Sequence, residues 1–384
     1  MRSRVLFLDH VGALGGAELA LIDVARAYRD TSTFLLFADG PFRTRLERQG
    51  IQVEVIEGGT ALHSVRRETR WPGPRVGWDV LSLAARIAPL ARRHDFLHAN
   101  SQKAFIVACV AGAVARRPVI WDLNDLLIDQ HFSRLNITLD VLLARHCAVR
   151  VMVNSEASAR ALIAQGGPAH KVRVVYNGID AAPFDAVTDA EIAAARDEFG
   201  IGSRPAIAVF GRLAEWKGQR TALQALRHLP DVDLLLVGDA LFGEDAYAKS
   251  LRSDAVGLGV ADRVRFAGFR ADIPCLMRAV DVILHTSIAP EPFGRVIVEG
   301  MLARRPVVAT RGGGVDEIID SGHDGMLIPA GDPDLLAGAV DRLLRDPVEA
   351  DRMGRAGRET AERKFTVNAM VETMSRNIEE LAGA

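Results

Sequence analysis

Two carboxylates, Glu291 and Glu299, stand with seven residues between them in the stretch "APEPFGRVIVEGMLARRPVVATRGGG", residues 289–314. Carboxylates are good acceptors for hydroxyl groups. Between the two lie Pro292, which keeps Glu291 out of a helix, and Gly294, which lets backbone approach a ligand closely. From Arg295 the apolar spacing of "RVIVEGMLARR" predicts a helix, whose first free N–H groups form an anion site. If the whole offset were helical it would span about 12 Å. The predicted arrangement is a diphosphate at the helix start, flanked by two hydroxylated rings, each held by one acid. From spacing alone, a surface acid and an unrelated helix acid is the commoner outcome, so the rest of the chain has to decide.

Other segments bring matching chemistry. "FGRLAEWKG" follows a predicted strand and sets Gly211, Arg212 and Lys217 just beyond it. An arginine fork and a lysine point charge at a strand's carboxyl end suit a diphosphate. "RGGGVDEI" adds Gly312, Gly313 and Gly314 after another strand, with Glu317 opening a helix. In the first half, "GALGGAELAL" places Gly15, Gly16 and Glu18 after the first strand, without the G-x-G-x-x-G spacing of a dinucleotide site. That argues against a nicotinamide-dependent dehydrogenase. His98 and Asn100, in "DFLHANS", end a further strand. A lone histidine there serves structure more often than chemistry. No cluster with metal-ligand spacing occurs.

The elements that must position these groups are legible as an alternation. Short apolar runs alternate with longer amphipathic stretches, the pattern of parallel sheets with crossover helices, an α/β fold. "RVLFLDH", "STFLLFAD", "VEVIE", "DFLHAN", "PVIWDL" and "RVMVNS" read as strands of a first array. After "VRVVYNGID" the pattern restarts with "AIAVFGRL", "DLLLVGD", "VRFAGF", "VDVILHTS", "RPVVAT" and "GMLIPA". The turn-rich stretch "NGIDAAPFDAVTDAE" marks the boundary. Two Rossmann-like, doubly wound domains follow, residues 1–180 and 181–364, with ligands at the carboxyl ends of their strands and a cleft where the sheets face one another. The final helix, residues 365–384, has no strand after it and is free to pack back on the first domain.

Bulk properties set limits. At 384 residues, 49% hydrophobic and 25% charged, the chain is an ordinary globular enzyme by composition and long enough for two cores. Cys109, Cys147 and Cys275 are too far apart for a disulfide framework or a zinc site. The apolar run near the N-terminus is too short for a signal peptide, and "AFIVACVAGAVA" falls short of a membrane span. The expectation is a cytoplasmic protein, peripheral at the inner face of the membrane at most, with no nucleic-acid partner. The net charge of −2 hides a balance of +6 in residues 1–180 and −8 in the remainder. In that basic half, "SVRRETRWPGPRVGW", residues 64–78, interleaves arginines with Trp71 and Trp78. It reads either as a peripheral membrane foot or as a solvated loop with two packed tryptophans.

In this order, "GGAE", "FGRLAEWKG", "FAGF", "EPFGRVIVEG" and "GGGVDEI" resemble the retaining glycosyltransferases of family 4, which have the two-domain GT-B architecture. The resemblance spans essentially the whole chain. It implies a nucleoside-diphosphate sugar as donor, UDP-linked first and GDP-linked second, a hydroxyl acceptor (saccharide, lipid-linked or small molecule), and no cofactor or metal. Arg212 and Lys217 would bind the diphosphate and steady the leaving group. Glu291 would take the donor-sugar hydroxyls, and Phe293, Gly294 and Arg295 would sit by the phosphates. Glu299 would hold the ribose, the backbone of Phe269 and Arg270 would border the base, and Gly211 would belong to the same donor site. Gly15 and Gly16 would meet the phosphates from the other domain, and Glu18 would reach toward the acceptor. Many relatives carry a histidine where this chain has Asn124, which cannot take a proton. Two substitutes stay open: His98 as a catalytic partner, or Asp125, with Asn124, at the acceptor. A nucleotide-sugar epimerase of the same fold, or a protein that binds nucleotide-sugar without turning it over, remains an alternative.

Overall fold

A computed structural model describes residues 3–65, 69, 73–240 and 244–383. Among the described residues thirteen strands form two sheets, parallel at every pairing, as expected for an α/β chain. The first sheet has seven strands: β1 (Val5–Asp9), β2 (Ser32–Leu36), β3 (Val53–Val55), β4 (Phe96–Ala99), β5 (Val119–Leu123), β6 (Ala148–Val153) and β7 (Val172–Val174), in the order β3-β2-β1-β4-β5-β6-β7. Its central strands are buried on both faces, which is why they read as continuous apolar runs. Period-two alternation divides their side chains. Leu6, Leu8, Leu97, Ala99 and Trp121 meet the helices Pro74–Ala91, Gln102–Ala115 and Arg134–His146. Val5, Phe7, Phe34, Ile120 and Met152 meet the helices Gly16–Ala27 and Val367–Ala382.

The second sheet has six strands: β8 (Ala206–Phe210), β9 (Asp233–Val237), β10 (Val264–Gly268), β11 (Val282–His285), β12 (Val307–Thr310) and β13 (Met326–Ile328), in the order β10-β9-β8-β11-β12-β13. Ile207, Val209, Leu234, Leu236, Val282 and Leu284 pack with side chains of the helices Gln219–Leu226 and Pro333–Arg345. In both sheets the strand order turns back beside the first strand of the array, at β1/β4 and β8/β11. Such a switch point opens a crevice at the carboxyl ends of the strands.

The chain divides into two compact units. The first is Met1–Gly178 with Val367–Ala384, and the second is Ile179–Thr366. The terminal helix Val367–Ala382 therefore belongs with the first sheet, where Arg150 Nη1 of β6 donates to Asn377 O and Oδ1, both at 2.8 Å. Among the described residues no helix is long and apolar enough to cross a membrane.

Candidate active site

In the second unit, the carboxyl end of β11 runs out as His285-Thr286-Ser287, and this short polar stretch holds two other segments. Thr286 Oγ1 donates to Lys217 O at 2.9 Å, and Ile288 N donates to Trp216 O at 2.8 Å. The turn after β8 is thereby fixed against the exit of β11. Gly218 has φ +65°, and a Cβ there would lie 2.0 Å from Thr286 O, so only glycine allows this approach. Thr310 Oγ1, at the end of β12, donates to Ser287 O at 2.7 Å and draws in the third segment.

The centre of the site is Glu291. Lys217 Nζ lies 2.5 Å from its Oε1, His285 Nε2 lies at 3.0 Å, and Ser287 Oγ donates to the same oxygen at 2.5 Å. Among the described residues every hydrogen bond to this carboxylate ends on Oε1. Burial pushes the Glu291 carboxyl up, but Lys217 and His285 outweigh it and hold the group well below the ordinary carboxylate range. Its backbone is laced to the glycine stretch after β12: Gly314 N donates to Glu291 O at 2.8 Å. A Cβ on Gly313, at φ +72°, would lie 2.0 Å from that carbonyl oxygen. The three glycines thus carry the Glu291 loop, and their conformation has a reason.

Lys217 Nζ stands 4.3 Å from the centroid of the Trp216 ring and Arg212 Cζ 6.0 Å from the same centroid. The two cations therefore gather at one indole. Gln219 Nε2 donates to Arg212 O at 2.8 Å, and Gly211 N donates to Val237 O at 2.9 Å, fixing this end of β8. The predicted helix runs from Arg295 to Leu302 with Gly294, at φ +113°, as its N-cap. Phe293 is buried edge-on against Phe365, with centroids 5.5 Å apart, so its ring belongs to the core. Arg295 Nη2 lies 3.6 Å from Glu299 Oε1. Burial raises the Glu299 carboxyl, opposed by Arg295.

The helix expected from Arg295 begins there, and Glu291, kept out of it, forms a bridge to Gly313. The Arg270 guanidinium reaches Glu198 Oε1 at 2.6 Å and Asp272 Oδ2 at 2.7 Å, so only its backbone is left to border a base. Its neighbour Phe269 is 79% exposed beyond the end of β10 and stays available to a ligand. His98 is 0% exposed, and among the described residues neither ring nitrogen has a hydrogen-bond partner. It packs beside Phe7 at 4.9 Å, and burial lowers its pKa to about 4. A neutral ring sealed inside the sheet cannot exchange protons with a substrate, so His98 leaves the catalytic set.

The first unit gathers its own group at the ends of β1, β4, β5 and β6. Asn100 Nδ2 donates to Asp9 Oδ2 at 2.6 Å, Asn124 Nδ2 to Asn100 Oδ1 at 3.3 Å, and Asn154 Nδ2 to Asn124 Oδ1 at 3.5 Å. Asn124 is thus one link of an amide chain. Gly15, the N-cap of helix Gly16–Ala27, donates its N–H to Glu18 Oε2 at 2.8 Å. Burial and the nearby Asp9 raise the Glu18 carboxyl to about 7. Burial also raises Asp122 to about 7. Asp125 contributes to the repulsion on Glu18. Of the segment 64–78, residues 66–68 and 70–72 lie outside the described residues, while Trp78 is 73% exposed on helix Pro74–Ala91.

Sequence reading passed over His285 and Ser287, and over Asp9, Asn100 and Asn154 as one network. The only signal was polarity at the end of an apolar strand. Among the described residues no group of three His, Cys, Asp or Glu side chains is placed to hold a metal.

Comparison with known proteins agrees with this division. The family described as Glycosyltransferase Family 4 matches residues 14–182, and Glycosyl transferases group 1 matches residues 191–360. The chain is similar to HepE of Anabaena, solved in complex with UDP and glucose, at 39% identity and a TM-score of 0.91, over 98% of this chain and 99% of that one. A complex of HepE with UDP-glucose aligns at a TM-score of 0.90 over the full length of both chains. The lipopolysaccharide core biosynthesis glycosyltransferase LpsE of Rhizobium meliloti is 35% identical over 44% of this chain and 48% of its own length. The GDP-mannose-dependent alpha-(1-6)-phosphatidylinositol monomannoside mannosyltransferase of Mycolicibacterium smegmatis is 33% identical over 51% and 53%. The chain spans about half the length of these curated relatives.

Proposed function

The chain belongs to the family 4-like glycosyltransferases, and from that premise we propose that it moves a glycosyl group from a nucleoside-diphosphate sugar to an acceptor hydroxyl with retention at the anomeric carbon. The observation that carries the reading is the convergence of Lys217, Glu291 and the N-terminus of helix Arg295–Leu302 at the switch point of the second sheet. Arg212, Lys217 and the amides near Gly294 take the donor diphosphate. Glu291 offers its second oxygen to the sugar hydroxyls, and Glu299 holds the ribose. UDP-sugars are the favoured donors, which the HepE complexes with UDP and UDP-glucose support.

In the reaction, the bond from the anomeric carbon to the diphosphate oxygen breaks as positive charge develops on the ring. Preorganised cations and helix amides stabilise the charge growing on the leaving group. The acceptor oxygen bonds to the anomeric carbon on the face the diphosphate is leaving, and its proton passes to the departing phosphate oxygen. Two cations and a helix terminus can do here what a divalent metal does elsewhere, so the reaction is proposed to run without one.

The acceptor belongs to the first unit in this reading, near the chain of Asp9, Asn100 and Asn124. A peripheral membrane contact is supported by helix Arg134–His146, where Leu135, Leu139 and Leu142 are 45%, 37% and 52% exposed on one stripe. Incubation with a panel of UDP- and GDP-sugars, followed by assay for released UDP or GDP with and without hydroxyl acceptors, tests the function. Consumption of at least one donor is expected, and a panel in which no donor is consumed or stabilises the fold overturns the reading.

A further inference from the structure

His285 and Ser287 are used by nothing in the reaction as described, yet both aim at the oxygen that Lys217 also holds. His285 is 5% exposed and Ser287 2%. Their geometry defines proton positions. Glu291 is a carboxylate, so the groups facing Oε1 must donate to it: Nε2–H from His285 at 3.0 Å and the hydroxyl of Ser287 at 2.5 Å. His285 Nδ1 is buried with no hydrogen-bond partner among the described residues. A proton there would be an unsatisfied buried donor, which is costly. The donor toward Oε1 is therefore Nε2–H.

The strand exit also treats the two ends of the ion pair differently. Thr286 fixes the backbone of Lys217, leaving its ammonium on a flexible stem, 20% exposed. Glu291, 8% exposed in its side chain, is held by groups that cannot leave. If Lys217 serves the donor phosphates, as the proposed function requires, it must give up part of its hold on Glu291. A buried carboxylate losing its cation either takes up a proton or swings toward water unless other donors remain.

We infer that His285 and Ser287 are positioning residues: a standing clamp on Oε1 that keeps Glu291 charged and aimed while Lys217 transfers to the donor diphosphate, leaving Oε2 for the sugar. This rests on the donor-site reading above and adds to it a division of labour within one carboxylate. It also separates two ligands. UDP engages Lys217 without needing Glu291, whereas UDP-glucose needs both.

The test compares UDP and UDP-glucose binding by calorimetry in wild type, H285F, H285Q and S287A, each checked for an intact thermal transition. H285F fills the same space without a donor, and H285Q restores one. The clamp predicts that H285F weakens UDP-glucose about 10- to 100-fold while UDP changes less than threefold, that H285Q recovers most of the loss, and that S287A shows the same selectivity more weakly. Equal weakening of both ligands, or UDP-glucose binding unchanged in folded H285F, overturns it. A second arm needs no ligand: nitrogen-15 NMR of the histidine rings, with His285 assigned by its loss in H285Q, should show a proton held on Nε2 whose signal changes in E291Q. A ring bare at Nε2, or one indifferent to E291Q, removes the clamp whatever the donor proves to be. Failure of wild type to bind either nucleotide would count against the donor site alone.

Discussion

Replacing Lys217 by methionine removes a charge while keeping the aliphatic stem over Trp216. Its effect on stability can be worked out before any substrate is known. The lysine lies 2.5 Å from a carboxylate that is 8% exposed. Removing one partner of a buried pair costs about 3–5 kcal/mol, chiefly because the other charge is left buried. Here the lysine end is partly solvated, and His285 and Ser287 still donate to Glu291. The lower end, about 3 kcal/mol, is the better expectation. For a unit the size of Ile179–Thr366 that lowers Tm by about 6–12 °C.

The pH dependence checks the cause. In wild type, burial alone would raise the Glu291 carboxyl, but Lys217 and His285 hold it below its ordinary value of 4.5. A depressed folded pKa adds stability that is present above the unfolded value and is lost as pH falls through the folded one. Without Lys217, burial gains the upper hand, and the variant can relieve Glu291 by protonating it as the pH drops. The Tm gap between wild type and Lys217→Met should therefore be widest near pH 7.5 and narrow steadily toward pH 4.5 in a thermal-shift series. The same variant should lose about 10²–10³ in kcat, the usual cost of removing a preorganised charge at a developing anion. A Tm gap independent of pH, or transfer within threefold of wild type, would refute this account of the pair.

Three further outcomes follow from the same geometry. Glu299→Gln should weaken binding of UDP by about tenfold while changing kcat little, since uniform nucleotide binding is what it is proposed to supply; calorimetry with UDP checks it. Gly313→Ala should destabilise the second unit by about 1–3 kcal/mol, because its Cβ would stand 2.0 Å from Glu291 O, and the shifted Glu291 loop should depress turnover in parallel. His98→Phe should leave kcat within threefold of wild type, because the ring is sealed against Phe7 and holds no polar partner; a large loss of kcat in folded protein would restore it to the catalytic set.

Most of the fold was legible because both sheets are parallel and buried, so each strand announces itself as an apolar run such as "VLFLD" or "DLLLV" with punctuation at its carboxyl end. The same punctuation carried the site: Arg212, Lys217, Glu291 and the three glycines all sit in strand-exit loops, where ligands of such folds bind. What the sequence did not display were long-range contacts and strand parity. The Arg270 side chain finds Glu198, 72 positions earlier, which no local pattern displays. His98 looked like a strand end because Asn100 follows closely. Alternation instead sets it among Phe96 and Ile120 on a covered face. The helix start at Arg295 was legible, but the pairing of Glu291 with the glycine loop after β12 joins two segments and cannot be read from spacing within one of them.

The arrangement also bears on why the site would need two cations. A diphosphate would bring negative charge to a place where Glu291 already holds one, and Lys217 is the group that neutralises it at rest. Lys217 can serve the phosphates fully only if something else makes up the deficit. Arg212, beside the same Trp216 ring, is placed to supply that charge, and its fork can hold an oxygen that Lys217 then shares. If the cations work as one unit, removing the first should already disable what the second contributes. Arg212→Ala and Lys217→Met should each lower kcat/KM strongly, and the double variant should fall little further, giving a coupling of about 1–3 kcal/mol in a double-mutant cycle. Losses that simply multiply would mean that the two residues act on separate events, and the shared-charge argument would be wrong.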